Sequence, residues 1–269
     1  MNKNMKCQMI LLFGLLLFVS ACEQVAITGR KQLNLVPDSE MNTMSFKEYG
    51  DFISKHKLSS NAAQTQMVKN AGKRIQKAVE KYCAENNMSA RLSGYQWEFN
   101  LIEDPNVNAF CMPGGKVVVY TGLIPVAQNE EGLAVVLGHE IAHAIARHGN
   151  ERMSQAMLAE LGAKGLSEAL ANSSEQTKNI FMKSYNIGAE YGVLLPYSRI
   201  HETEADHLGL IFMAMAGYNP NAALDFWQRM AAGSKGKQPI ELLSTHPADQ
   251  TRIGNLKKFM PEAMSYYKN

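Results

Sequence analysis

The chain has 269 residues, 46% of them hydrophobic, which is enough for one large domain with a substantial core. Its 27 basic and 25 acidic residues leave a formal charge of +2, and no lysine or arginine run stands out. A nucleic-acid surface is therefore excluded as a partner site.

Residues 1–21 read as a leader rather than as part of the fold. Lys3 and Lys6 form a basic start, Met9 to Val19 an apolar run, and Val19-Ser20-Ala21-Cys22 its end. The run is too short for a comfortable transmembrane helix. A small-residue pair directly before cysteine resembles a bacterial lipobox. Cys22 then becomes the lipid-modified first residue of a mature chain of 269 − 21 = 248 residues, exported to the cell envelope and held on the membrane by acyl chains. Removing Lys3 and Lys6 leaves 25 basic residues against 25 acidic ones, a net charge of zero. Only Cys83 and Cys111 then remain as thiols. Neither has CxxC spacing, which excludes a cysteine zinc site; in an oxidising compartment the two could pair, though two isolated cysteines more often stay separate and buried.

Residues 22–59 read as an N-terminal anchor and helical segment, and 60–269 as the main domain. Residues 38–57 and 61–88 are periodic and helical, with Asn61 as an N-cap between them. Tyr95–Ile102 alternates and is rich in aromatic and branched residues, the pattern of a strand. Val107–Met112 and Lys116–Tyr120 flank Pro113-Gly114-Gly115 and predict a hairpin. From Glu130 the chain runs without proline into one long apolar helix, acidic at its start and basic at Arg147 and His148. Residues 151–193 form an insert, broken near Asn172–Glu175, that reads either as a cover over a cleft or as a plain helical hairpin. A helix over 199–216 ends at Gly217. Another begins at Asn219-Pro220 and runs through Met230, followed by a polar loop from Gly233 to Pro239. The expected fold is α+β and mainly α, with a small β-sheet beside the Glu130 helix. No repeat array is visible.

That helix carries His139-Glu140-Ile141-Ala142-His143. Histidines four apart lie one turn apart on one face, so their rings can grip a single zinc ion. Glu140 then stands in the same cleft as a general base for a zinc-activated water. A catalytic zinc takes three protein ligands and one open position. The metzincin continuation fails, because Ala146 and Gly149 stand where glycine and histidine are required. The better source of a third ligand is the segment 198–209. There Glu202 and Asp206 share a helix face, whereas Glu204 lies well round the cylinder. One of the first two can bind metal while the other accepts the free ring N–H of a ligating histidine.

Four stretches in this order resemble metallopeptidase family forty-eight, which includes HtpX, the CAAX prenyl proteases and the Oma-type mitochondrial proteases. They are Asn108-Ala109-Phe110 with Pro113-Gly114-Gly115, the HExxH at 139–143, Glu202-x-Glu204-Ala205-Asp206-x-x-Gly209, and Ser244-Thr245-His246-Pro247 with Arg252-Ile253. Together they span roughly residues 60 to 260. The resemblance implies a zincin-like domain holding one zinc ion, with Glu202 as third ligand and Asp206 as the partner of a zinc histidine. It also implies a protease that cuts misfolded or misassembled envelope proteins and faces the periplasm. Three roles are open to His246: hydrogen-bonding an oxyanion, occupying the open zinc position and making the enzyme latent, or packing under its turn. Arg252 either steers a substrate carbonyl or pairs with a carboxylate. Asn108-Ala109-Phe110 is the candidate edge strand for holding a substrate main chain. The alternative is a chaperone or assembly factor that keeps the cleft for binding, which would have no need of Glu140.

Overall fold

A computed structural model describes residues 22–171, 175–185, 198–233, 241–246 and 250–268. The predicted leader, residues 172–174, the end of the insert beyond Tyr185, the polar loop at 234–239 and Pro247 lie outside the described residues.

The chain opens with a two-stranded hairpin, β1 (Cys22–Gln24) against β2 (Lys31–Leu33), pairing Cys22 with Leu33. Helix α1 (Asp38–Lys55) follows, then α2 (Ala62–Glu85), whose N-cap Asn61 accepts from the Gln64 N–H. On α2, Val68, Ala71, Ile75, Val79 and Tyr82 recur every three or four residues and are buried, which is how an amphipathic helix pays for its ordering.

The sheet has three strands in the order β3 (Glu98–Ile102), β5 (Lys116–Tyr120), β4 (Ala109–Met112). The predicted hairpin is present, with β4 antiparallel to β5 and Phe110 opposite Val118. Its turn needs both glycines, since Gly114 and Gly115 adopt φ +74° and +82°. Strand β3 joins β5 in parallel, which leaves β4 on the outside with β5 as its only partner among the described strands. All five residues of β5 are buried, as a central strand covered on both faces requires. One face packs Leu101, Ala109, Cys111, Val117 and Val119 against α2 and the next long helix; the other packs Phe110, Met112, Val118 and Tyr120 against α1.

After a short α3 (Ile124–Ala127) comes α4 (Glu130–Ile145), capped by the Asn129 side chain and buried from Gly132 to Ile145. The helix is shorter than the sequence predicts. Arg147, paired with Asp38, adopts φ +60° and turns the chain, so His148 opens a new helix, α5 (His148–Ala171), instead of closing the old one. Then come α6 (Glu175–Ser184), α7 (Arg199–Met215), α8 (Ala222–Gly233), α9 (Glu241–Thr245) and α10 (Gln250–Tyr266). The result is the α+β, mainly helical architecture expected, with the small sheet beside the motif helix. Cys83 and Cys111 are separate and buried, as expected. No helix among the described residues is long and apolar enough to cross a membrane.

Helix α7 crosses α4 at two glycines. A Cβ on Gly138 would stand 2.9 Å from the Gly209 carbonyl oxygen, and one on Gly209 would stand 3.0 Å from the His139 nitrogen. Gly138→Ala is therefore expected to lower unfolding stability by roughly 1–3 kcal/mol through overpacking. Gly254→Ala, with nothing within 4 Å of the added carbon, should instead raise it by up to about 1 kcal/mol. Chemical denaturation of the two variants checks the pair; equal effects would deny that the crossing is tight.

Candidate metal centre

The close crossing brings α4 and α7 together over four buried donor side chains. His139 and His143 come from α4, Glu202 from the first turn of α7, and His246 from just beyond α9. One donor atom from each lies within 4.8 Å of all the others. His139 Nε2 is 3.1 Å from His143 Nε2 and 3.1 Å from His246 Nδ1. Glu202 Oε2 is 3.4 Å from His139 Nε2, while its Oε1 is 3.2 Å from His143 Nε2 and 2.9 Å from His246 Nδ1. Ser198 caps α7 by accepting from His201 N–H, and α9 is tied to the segment leading into β4 by the Leu242 N–H donating to the Val107 carbonyl, 3.1 Å away.

This donor set fits a cation. Four donors around an ion at 2.0–2.1 Å stand about 3.3 Å apart, close to the spacings found. Nitrogen and carboxylate donors in this ratio suit zinc among the common divalent ions. The histidine tautomers also agree, assigned from their partners. His139 Nδ1 lies 2.9 Å from Asp206 Oδ1, so it donates there and leaves the Nε2 lone pair facing the cluster. Burial pushes the His143 imidazole well below its ordinary pKa, whereas at His139 burial and Arg252 are outweighed by the pull of Glu202 and Asp206, which raises it.

Asp206 is in turn held by Arg252, which donates from Nε at 2.9 Å and from NH2 at 2.6 Å. Arg252 also reaches Glu202 Oε2 at 3.2 Å and lies 3.3 Å over the Trp227 ring. It is 5% exposed and faces two carboxylates, the pairing the sequence offered as one of its two roles.

Glu140 stands apart from the donor set. Its Oε1 is 3.6 Å from His246 Nε2 and has no hydrogen-bond partner among the described residues. Burial pushes its carboxyl up to about 7, against the opposing pull of His246. It shares a cleft with Asn108, Ala109, Phe110, Tyr185 and His246, so the structure brings the predicted edge strand to the predicted base. Asn108 is turned inward and its Oδ1 accepts from the Ala109 N–H. The Phe110 ring points to the opposite core, edge-on to Phe52, while the antiparallel register turns its main chain toward Val118 of β5.

A second group was missed from the sequence: Arg30, His148, Glu151, His201 and Glu204. The one visible clue was the position of Glu204 on the opposite side of α7 from Glu202. Burial pushes Glu204 up, but hydrogen bonds from His148, Arg30 and Thr28 outweigh it and bring it down to about 2. Glu151 is likewise raised by burial and brought down to about 2 by Arg30 and His201.

An HExxH helix, a glutamate from a following helix and a small sheet whose β4 edge is unpaired among the described strands define a zincin-like metallopeptidase domain. The chain belongs to peptidase family M48, which matches it over residues 69–260. It is 36% identical over 252 residues to the mitochondrial metalloendopeptidase OMA1 of Schizosaccharomyces pombe, an alignment covering 90% of this chain and 67% of that protein. It is 31% identical over 262 residues to the mitochondrial metalloendopeptidase OMA1 of Homo sapiens, covering 94% and 49%. A putative beta-barrel assembly-enhancing protease of Vibrio cholerae is 35% identical over 159 residues, covering 58% and 33%. The chain thus spans from a third to two thirds of the length of these relatives.

Because folding lowers the Glu151 pKa from 4.5 to about 2, its contribution to stability is complete above about pH 5. It should fade as pH falls from 4.5 towards 2. The melting difference between the natural protein and Glu151→Gln is expected to follow that course. A difference independent of pH would contradict the ion-pair assignment.

Proposed function

We propose that the protein is a zinc-dependent endopeptidase of the bacterial cell envelope that cuts misfolded or misassembled envelope proteins. The observation that carries this reading is Glu140: a buried carboxylate whose Oε1 has no hydrogen-bond partner among the described residues, beside a His-His-Glu donor set and the β4 edge. His139, His143 and Glu202 would hold the ion. When bound, zinc supplies Lewis acidity that polarises a carbonyl and acidifies water. Glu140 takes the proton of the attacking water and passes it to the leaving amine. The β4 edge that runs through Asn108-Ala109-Phe110 is read as the strand that holds the substrate extended by main-chain hydrogen bonds, and so reads backbone more than sequence. The chaperone reading gives no role to Glu140.

His246 sits with its Nδ1 among the donors, a placement that supports the latent role over the oxyanion one. Arg252 is read as a positioning residue. The envelope address rests on the leader and lipobox pattern, and the name of the Vibrio cholerae relative supports it. With Cys22 as both the lipidated residue and the first residue of β1, the catalytic domain would stand directly on the bilayer without a tether.

Casein cleavage by the full chain is expected to fall by about 10²–10⁴-fold in Glu140→Gln. His246→Ala is expected to raise it. Equal cleavage by the natural protein and Glu140→Gln would overturn the assignment, and lost activity in His246→Ala would return that histidine to the oxyanion role.

A further inference from the structure

The two histidines of the motif are oriented differently. His139 donates directly to a carboxylate, Asp206, whereas His143 Nδ1 faces another imidazole, His148 Nδ1, at 2.9 Å. One of these nitrogens must donate and the other accept. The answer comes from the far side of His148, where Nε2 lies 3.0 Å from Glu204 Oε2. A carboxylate held by an arginine only accepts, so His148 Nε2 carries the hydrogen and its Nδ1 accepts from His143 Nδ1–H. That leaves the His143 Nε2 lone pair pointing into the donor cluster.

What keeps Glu204 in this role lies at the other end of the chain. Arg30 donates to its Oε1 and Oε2, both at 3.0 Å, and Thr28 donates to Oε1 at 2.6 Å. The same guanidinium reaches Glu151 at 2.9 and 2.8 Å, and Glu151 holds His201 at 3.1 Å. The His201 ring stacks on His148 with centroids 4.5 Å apart, which fixes the plane of the middle ring. A planar fork that satisfies two carboxylates at once is something lysine cannot reproduce. The turn carrying Thr28 and Arg30 is itself pinned, with Val25 in the core and its N–H donating to the Arg30 carbonyl at 2.8 Å.

We propose that this N-terminal hook belongs to the metal site: through Arg30, Glu204 and His148 it fixes the tautomer and ring orientation of His143. The three are positioning residues, and Arg30 lies outside the family-matched stretch 69–260. The proposal rests on the metal-site reading given above.

The test uses the full chain, with zinc affinity by chelator competition and the visible spectrum of the cobalt-substituted protein as readouts. His148→Phe keeps a ring but removes the acceptor, and is expected to weaken zinc binding on the order of 10–100-fold and alter the cobalt spectrum. His148→Gln, which restores an acceptor and a donor, should recover part of the loss. Arg30→Ala should show a smaller loss than His148→Phe and Arg30→Lys should rescue little of it; these half-buried variants carry the test if His148→Phe does not fold. Natural affinity and spectrum in a folded His148→Phe or Arg30→Ala would overturn the proposal while leaving the metal site intact. Failure of the natural protein to bind zinc would overturn both.

Discussion

The contact between Gly138 and Gly209 governs the rest of the molecule, because α4 and α7 must approach backbone to backbone for their polar residues to meet. Each helix alone would bury histidines and carboxylates at prohibitive cost. Brought together, they satisfy one another: His139 with Asp206, and His139 and His143 against Glu202. The apolar surroundings that make α4 a core helix are also what makes these partners obligatory. The sheet serves the same geometry from the other side, since β4 is an outer strand of the sheet and lines one cleft with the buried Glu140.

Much of this arrangement was legible in the residues. The i, i+4 spacing of His139 and His143, and of Glu202 and Asp206, predicts shared helix faces, and the Pro-Gly-Gly turn predicts the hairpin of β4 with β5. Caps at Asn61 and the end at Gly217 fall where expected. The break after α4 was not legible, because nothing about an arginine announces a left-handed backbone. Arg147 adopts it with Asp38, more than a hundred residues away, as its partner. Periodicity carries no record of such a long-range ion pair.

The same limit hid the second layer of the site. Glu204 looks like a solvent-facing carboxylate when α7 is drawn alone, and it is buried only because the N-terminal turn and α5 close over it. Arg30 sits in a short polar stretch that has no periodic signature. The family resemblance covers the ligand-bearing helices, while the hook that braces them joins from outside the matched stretch. Where ligands recur at fixed spacings, sequence shows them; where support is assembled from distant segments, only the fold does.

The most direct measurement is the zinc content of the purified full chain by elemental analysis, beside a Glu202→Gln variant. The proposed zinc site predicts close to one zinc per natural chain, and loss of most of it when the Glu202 carboxylate becomes an amide. A folded natural protein without zinc, or a variant that retains it fully, would contradict the assignment of this cluster as the metal centre.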